Sequence, residues 1–178
     1  MKPRLIILSD LWGKEKSDWV SDYVELLKDN FEIQYYDCCE LGEIDKTNYI
    51  EENLHSQFVN GGIEKAVENL LKVEKNQVDI LAFSIGGTIA WKAALKWLNV
   101  RNFFAVSSTR LRYENEIANG AIKLYYGEND SNVPSQNWFK KLSINFEIIK
   151  NKDHDFYTEK EFTSLICKEI FKIVRCNW

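Results

Sequence analysis

Six short apolar runs, separated by polar stretches that mostly carry helical spacing, constrain this chain more than any other feature of its sequence. The runs cover residues 4–9, 31–36, 78–83, 103–106, 122–126 and 146–149. Each has the length of a strand, and near-continuous apolar character is what a strand needs when both faces of its sheet are covered. Between them, residues 17–28, 63–74 and 86–98 show helical patterns, as in Ile63, Ala66, Val67, Leu70 and Leu71. That spacing gathers apolar side chains on one helical face. The alternation predicts an α/β protein, a three-layer α/β/α sandwich around a mainly parallel sheet of about six strands.

Local signals mark where the helices begin. Ser17 is a candidate N-cap for the first helix, and Pro134 stands where the next helix after the fifth strand should start, suited to a first helical position. Thr158-Glu159-Lys160-Glu161 reads as a capping box opening a last helix whose buried stripe is Phe162, Leu165, Ile166, Ile170 and Ile173. Small residues Ala90, Ala93 and Ala94 let the third helix pack close to the sheet. Residues 38–60 read as a long polar connection. The gap between the fourth and fifth strands is too short for a lid domain.

At 178 residues, with two prolines and no low-complexity tract, the chain is expected to form one domain over residues 1–178. Its 45% hydrophobic content is enough to bury a core without disulfides or metal. A formal net charge of −4, with no basic block, argues against nucleic acid as a partner, because phosphate neutralisation dominates such binding. No apolar run approaches the ~20 residues of a membrane span, and the apolar run at residues 5–8 is too short for a signal peptide. A soluble, cytoplasmic protein is expected, with no membrane partner. Four cysteines, Cys38, Cys39, Cys167 and Cys176, lack any zinc-ligand spacing and read as plain thiols.

The segment most informative about chemistry is Asp79-Ile80-Leu81-Ala82-Phe83-Ser84-Ile85-Gly86-Gly87-Thr88. It is an apolar strand running into a serine, then glycines, then a helix. A serine on so sharp a turn is lifted above the sheet edge, and Ala82-x-Ser84-x-Gly86 matches the nucleophile-elbow pattern with Ala for the first Gly. A plainer reading makes Ser84 a helix cap on a tight turn. A third makes the turn a phosphate cradle, although the nucleotide-binding glycine fingerprints are absent.

Downstream residues favour the nucleophile. Tyr126-Gly127-Glu128-Asn129-Asp130 puts a carboxylate just past the fifth strand, and His154 follows the sixth. Ser84, Asp130 and His154 thus occur in a known triad order. Imidazole is suited to take the serine proton near neutral pH and return it to a leaving group. His55, in the long polar connection, reads as a surface loop residue, and Asp153 and Asp155 as solvated charges.

With these segments the sequence resembles the α/β-hydrolase superfamily over nearly its whole length, in the small form without a cap domain. The resemblance implies a serine hydrolase of carboxylesterase or thioesterase type, with Ser84 as nucleophile, His154 as base and Asp130 as acid. It implies an oxyanion hole of backbone N–H groups from Ile85 and Leu11, with Trp12 as the alternative donor to Leu11. It implies no metal and no organic cofactor. Three positions depart from the family pattern: Ser9-Asp10 replaces His-Gly in the oxyanion loop, Ala82 replaces the first elbow glycine, and Asp153 replaces the glycine before the histidine.

Substrate and partner expectations follow from residues on loops at the sheet's C-terminal edge. Leu11, Trp12, Tyr113, Trp138 and Phe156 are candidate walls of an apolar acyl pocket. Arg110 and Arg112 are candidates to meet a substrate carboxylate or phosphate. The expected partner is a small-molecule acyl substrate, with an acyl group linked to a carrier protein as a variant that the arginines suggest. The alternative function is a catalytically weak or inactive hydrolase-like binding protein.

Overall fold

The computed structural model describes residues 2–176, with side chains through Val174. Six strands form one sheet: β1 (Arg4–Leu8), β2 (Glu32–Tyr36), β3 (Val78–Phe83), β4 (Val100–Val106), β5 (Ala121–Gly127) and β6 (Asn145–Ile149). Their order across the sheet is β2-β1-β3-β4-β5-β6, and every neighbouring pair is parallel. Seven helices accompany them: α1 (Val20–Leu27), α2 (Cys38–Leu41), α3 (Glu51–Gln57), α4 (Ile63–Val73), α5 (Ile85–Leu95), α6 (Gln136–Lys141) and α7 (Lys160–Cys176).

Alternation along the strands builds two apolar layers. Ile6, Leu8, Ile80, Ala82, Phe103, Ala105, Leu124 and Tyr126 pack in one core with the residues of α4, α5 and α6. Their neighbours Leu5, Ile7, Leu81, Phe83, Phe104, Val106 and Tyr125 pack in the other with α1 and α7. Successive side chains of a strand point to opposite faces, so six apolar runs without polar alternation produce two cores. This is the three-layer sandwich expected, with the sheet wholly parallel among the described residues.

Two consequences of topology position the site. All strands point the same way, so every loop that follows a strand lies at one edge of the sheet. The order reverses at β1, which pairs with β2 on one side and β3 on the other. The crevice between the ends of β1 and β3 is therefore the switch point where ligands bind in open α/β sheets.

Several local expectations need correction. Ser17 does not cap α1; its hydroxyl donates to the Gly13 carbonyl, which ends a short 3-10 turn, and Trp19 stands at the N-cap without a side-chain bond. Pro134 is not the first residue of α6 but precedes the cap, because Ser135 accepts the Trp138 N–H and so starts the helix itself. No capping box forms at Thr158, whose hydroxyl donates to the Asp155 carbonyl within a 3-10 turn. β4 begins at Val100 rather than residue 103. The stretch 38–60 holds α2 and α3, and α2 is started by Asp37, which accepts from Cys39 and Glu40 N–H groups. α3 runs into α4 through a kink at Gly61, where φ is +121°. Cys38, Cys39 and Cys167 are buried free thiols, while the Cys176 side chain lies outside the described residues.

Candidate active site

Ser84 occupies the turn between β3 and α5 at φ +49° and ψ −119°, a conformation that L residues other than glycine rarely hold. The surroundings impose it. The Ser84 N–H donates to the Val106 carbonyl at 3.0 Å, while the Ser84 carbonyl accepts from Gly87 at 3.1 Å and Thr109 at 3.3 Å. Glycine is required next to it for space: a Cβ on Gly86 would lie 2.4 Å from the Ser9 carbonyl oxygen, and one on Gly87 would lie 1.8 Å from Ser108 Oγ. Ala82 is fully buried and is small enough to stand where the pattern has glycine.

The Ser84 side chain makes no cap bond to α5, so the plain helix-cap reading fails. Its Oγ lies 2.9 Å from His154 Nε2 instead. His154 Nδ1 in turn lies 2.9 Å from Asp130 Oδ2. A carboxylate only accepts, so Nδ1 carries the proton and Nε2 is left to accept from the serine hydroxyl. The other oxygen, Asp130 Oδ1, accepts the Asn132 backbone N–H at 2.8 Å and its side-chain amide at 3.0 Å. Burial works against the Asp130 charge, but the His154 and Asn132 hydrogen bonds outweigh it and hold its carboxyl below the usual range.

The loops carrying the acid and the histidine are locked together. Asn129 N–H donates to the Lys152 carbonyl at 2.9 Å, and a Cβ on Gly127 would stand 2.3 Å from that same oxygen. The glycine that ends β5 is thus the condition for bringing His154 over Asp130.

Past β1, residues 10–12 line the same cleft as Ser84, held by residues that follow β2. Cys38 N–H and thiol bond Ser9 Oγ and the Ser9 carbonyl at 2.8 and 3.1 Å, and the Cys39 thiol donates to the Leu11 carbonyl at 3.2 Å. The Tyr49 hydroxyl donates to the Trp12 carbonyl. Asp10 Oδ1 accepts the Trp12 N–H at 2.9 Å, which removes Trp12 as the alternative oxyanion donor. Among the described residues, the N–H groups of Leu11 and Ile85 donate to no protein acceptor. Both residues line the same cleft as Ser84.

That cleft has a volume of about 620 Å³. Leu11, Trp12, Trp19, Thr109 and Asn132 line it with Ser84 and His154, as do the exposed Lys16, Glu51 and His55. Lys16 Nζ sits 3.7 Å from the centre of the Trp12 ring, a cation–π contact. His55 therefore lies on α3 beside the cleft, not in a remote loop. A hollow of about 700 Å³ along α7 contains Leu165 and Phe171 but lies away from these groups.

Three expected wall residues, Tyr113, Trp138 and Phe156, and the two expected anion-binding arginines are elsewhere. Trp138 is buried against Trp91 and donates its indole N–H to the Glu114 carbonyl at 2.8 Å. Phe156 is buried against Phe162 on the other face of the sheet. Both are core because Trp138 lies on α6 and Phe156 in the turn leading to α7, and the apolar faces of these helices cover the sheet. Arg110 and Arg112 both stack on the exposed Tyr113 ring, outside the cleft wall. Arg112 also donates to Asn132, which lines the cleft, at 2.8 Å. Asn132, Trp19, Lys16 and Tyr157 went unread in the sequence; only the Asp130-x-Asn132 spacing, which permits a side-chain turn, left a trace.

No metal-holding cluster of His, Cys, Asp or Glu occurs among the described residues, and no helix there is long and apolar enough to cross a membrane. The fold and cleft together define the α/β-hydrolase fold, without an inserted cap between described strands. Solved structures with this architecture include mouse alpha/beta hydrolase domain-containing protein 10, with a TM-score of 0.73 and 14% identity over 100% of this chain and 92% of that one. A carboxylesterase structure from Nitrososphaera gargenis matches with a TM-score of 0.71 and 12% identity over 99% and 92%. Est1E from Butyrivibrio proteoclasticus matches with 0.67 and 12% over 98% and 89%. No protein-family model matches the chain, and no curated protein does.

Proposed function

We propose that the protein is a serine hydrolase that cleaves a small carboxylic ester or thioester through an acyl-enzyme. One observation carries this reading: Ser84, held at φ +49°, hydrogen-bonds His154, which hydrogen-bonds Asp130. A helix turn has no use for that conformation, whereas a nucleophile gains an exposed, preoriented hydroxyl from it. The hydrolases and esterases among the structural neighbours support the same class.

In this reading His154 Nε2 takes the Ser84 proton as Oγ bonds the acyl carbon. The carbonyl electron pair moves to oxygen, where the free N–H groups of Leu11 and Ile85 stabilise the oxyanion. Collapse breaks the bond to the alkoxide or thiolate, which leaves with the proton from His154. Water then adds to the acyl carbon while His154 takes its proton, and a second collapse frees the carboxylic acid and returns the proton to Ser84. Asp130 holds the imidazole tautomer throughout and stays ionised.

The cleft accommodates an acyl group between Leu11, Trp12 and Trp19. Carrier-linked substrates depended on Arg110 and Arg112, which stack on Tyr113 instead, so a small-molecule ester or thioester is the better match.

The test is labelling with a fluorophosphonate probe followed by intact-mass measurement, with Ser84→Ala and His154→Ala alongside. One adduct on the wild type and none on either variant is the expected result. An unlabelled wild type between pH 7 and 9 would leave a binding protein with a silent site.

A further inference from the structure

Asp10 is the residue least expected at its position. It lies two residues past β1, is 3% exposed and lines the cleft beside Ser84. Among the described residues no lysine or arginine pairs with it. Its two oxygens serve different segments: Oδ1 accepts the Trp12 N–H at 2.9 Å and Oδ2 accepts the Tyr157 hydroxyl at 3.3 Å. Tyr157 lies three residues beyond His154 and its ring stacks edge-on to the imidazole, with centroids 6.1 Å apart. A carboxylate kept in such a place without a cation needs a reason, since an unpaired buried charge destabilises the fold.

We propose that Asp10 is a positioning residue for the oxyanion loop: by holding the Trp12 N–H and the Tyr157 hydroxyl at once, it leaves the Leu11 N–H as the free donor and ties that loop to the segment carrying His154. The proposal rests on the serine-hydrolase reading. It also explains why a residue bearing negative charge is tolerated next to a developing oxyanion. The charge is taken up by two hydrogen bonds, and the second ties together the two loops between which the acyl carbonyl must sit.

The ionised form is the one with two acceptors. Burial raises the Asp10 carboxyl to about 6, against the Trp12, Tyr157 and Ser17 hydrogen bonds and the His154 charge, which all pull it down. The other groups around it are Tyr35 on β2, Cys38 and Cys39 on α2, and Tyr49 before α3. Burial raises all four and Tyr157 as well, so these remain neutral in the working range. Asp37 at the start of α2 and, along the cleft, Lys16, Glu51, His55 and Asp155 complete the titratable surroundings. Protonation of Asp10 turns one acceptor into a donor and loosens one of the two ties.

The experiment compares wild type with Asp10→Ala, Asp10→Asn and Tyr157→Phe, measuring fluorophosphonate labelling rate, kcat and KM for a p-nitrophenyl ester from pH 5 to 8.5, and Tm. Asp10→Ala is expected to lower kcat and labelling by about 10- to 100-fold with KM within about 3-fold, since it disorders an oxyanion donor without touching the acyl wall. Tyr157→Phe should lower kcat by about 3- to 10-fold, because one of the two ties remains. Asp10→Asn keeps an acceptor for Trp12 and should recover kcat to within about 5-fold of wild type at pH 8, while its acid limb loses the ionisation near pH 6. A labelled wild type with Asp10→Ala equally fast, or an Asp10→Asn acid limb identical to wild type, would overturn the positioning role and leave the hydrolase reading standing. A wild type that does not label at Ser84 would instead remove the hydrolase reading on which the proposal rests. Should Asp10→Ala not fold, the Asp10→Asn and Tyr157→Phe profiles carry the decision alone.

Discussion

The two edges of the parallel sheet handle buried carboxylates in opposite ways. At the edge where strands begin, each has a guanidinium. Asp79 on β3, fully buried, takes Arg101 through both oxygens at 3.0 and 2.5 Å and the Asn102 amide at 2.8 Å. Glu74, just before β3, takes Arg4 at 2.9 and 2.7 Å and the Tyr36 hydroxyl as well. At the edge where strands end, Asp10 and Asp130 meet only an imidazole, amides and hydroxyls. A guanidinium neutralises a carboxylate permanently, whereas an imidazole or a hydroxyl leaves it able to respond to a proton. One edge is built to hold the fold, and the other, in the proposed hydrolase reading, keeps its carboxylates responsive at some expense of stability.

The largest expected difference between the edges is in activity. Ser84→Ala or His154→Ala should lower kcat/KM for an ester by about 10⁴- to 10⁶-fold while Tm moves by no more than about 2 °C. Steady-state kinetics beside a melting curve reads both. A variant that lost activity only in proportion to its unfolding would erase the contrast. The reverse experiment is Arg101→Leu, which leaves Asp79 buried with Asn102 but without its guanidinium. It should cost about 3 kcal/mol in a denaturant titration with kcat within about 2-fold of wild type.

Asp10→Asn sharpens the comparison from the other side. Folding raises the Asp10 carboxyl from 3.8 to about 6, so the folded state favours the neutral acid and binds more protons than the unfolded chain between those values. The contribution to stability is therefore full below about pH 4 and is lost as pH rises through 6. Asparagine lacks that loss, and the variant should be more stable than wild type by up to about 3 kcal/mol at pH 8, with the gap closing towards pH 4. Chemical denaturation at both pH values measures it, and a gap that does not change with pH would deny Asp10 its charge. The smallest effect belongs to the elbow. Ser84→Gly removes the Cβ strained at φ +49° and should stabilise the fold by about 1 kcal/mol although it abolishes labelling. A loss of stability there would mean that the turn is not strained.

Much of this was legible from the chain because its signals are local. Six apolar runs of strand length gave six strands, and Ser84 followed by Gly86 and Gly87 marked the turn that only small residues allow. Ser84, Asp130 and His154 could be placed at one edge from the sequence because each lies on the loop that follows a strand, and parallel strands deliver such loops to the same edge. Helix starts were less so. Ser17, Pro134 and Thr158 each carry a genuine start signal, yet nearby groups compete for it: Gly13 takes the Ser17 hydroxyl, Ser135 caps α6, and Asp155 takes the Thr158 hydroxyl. The walls of the cleft were least legible. An aromatic on a loop looks the same in sequence whether it faces a cavity, like Trp12 and Trp19, or fills a core, like Trp138 and Phe156.

The sequence by itself determined the layers and the order in which Ser84, Asp130 and His154 follow their strands, because both depend on periodicity and on where each strand ends. The tertiary structure alone decided which side chains meet. His154 reaches Ser84 across 70 positions of chain and Asp130 across 24, distances closed by the side-by-side pairing of β3, β4, β5 and β6 in one sheet. It also decided that Asp10, a surface-type residue in any composition table, is buried with Trp12 and Tyr157 as its partners. Burial and partnership are properties of space, and a carboxylate's charge, role and cost depend on both.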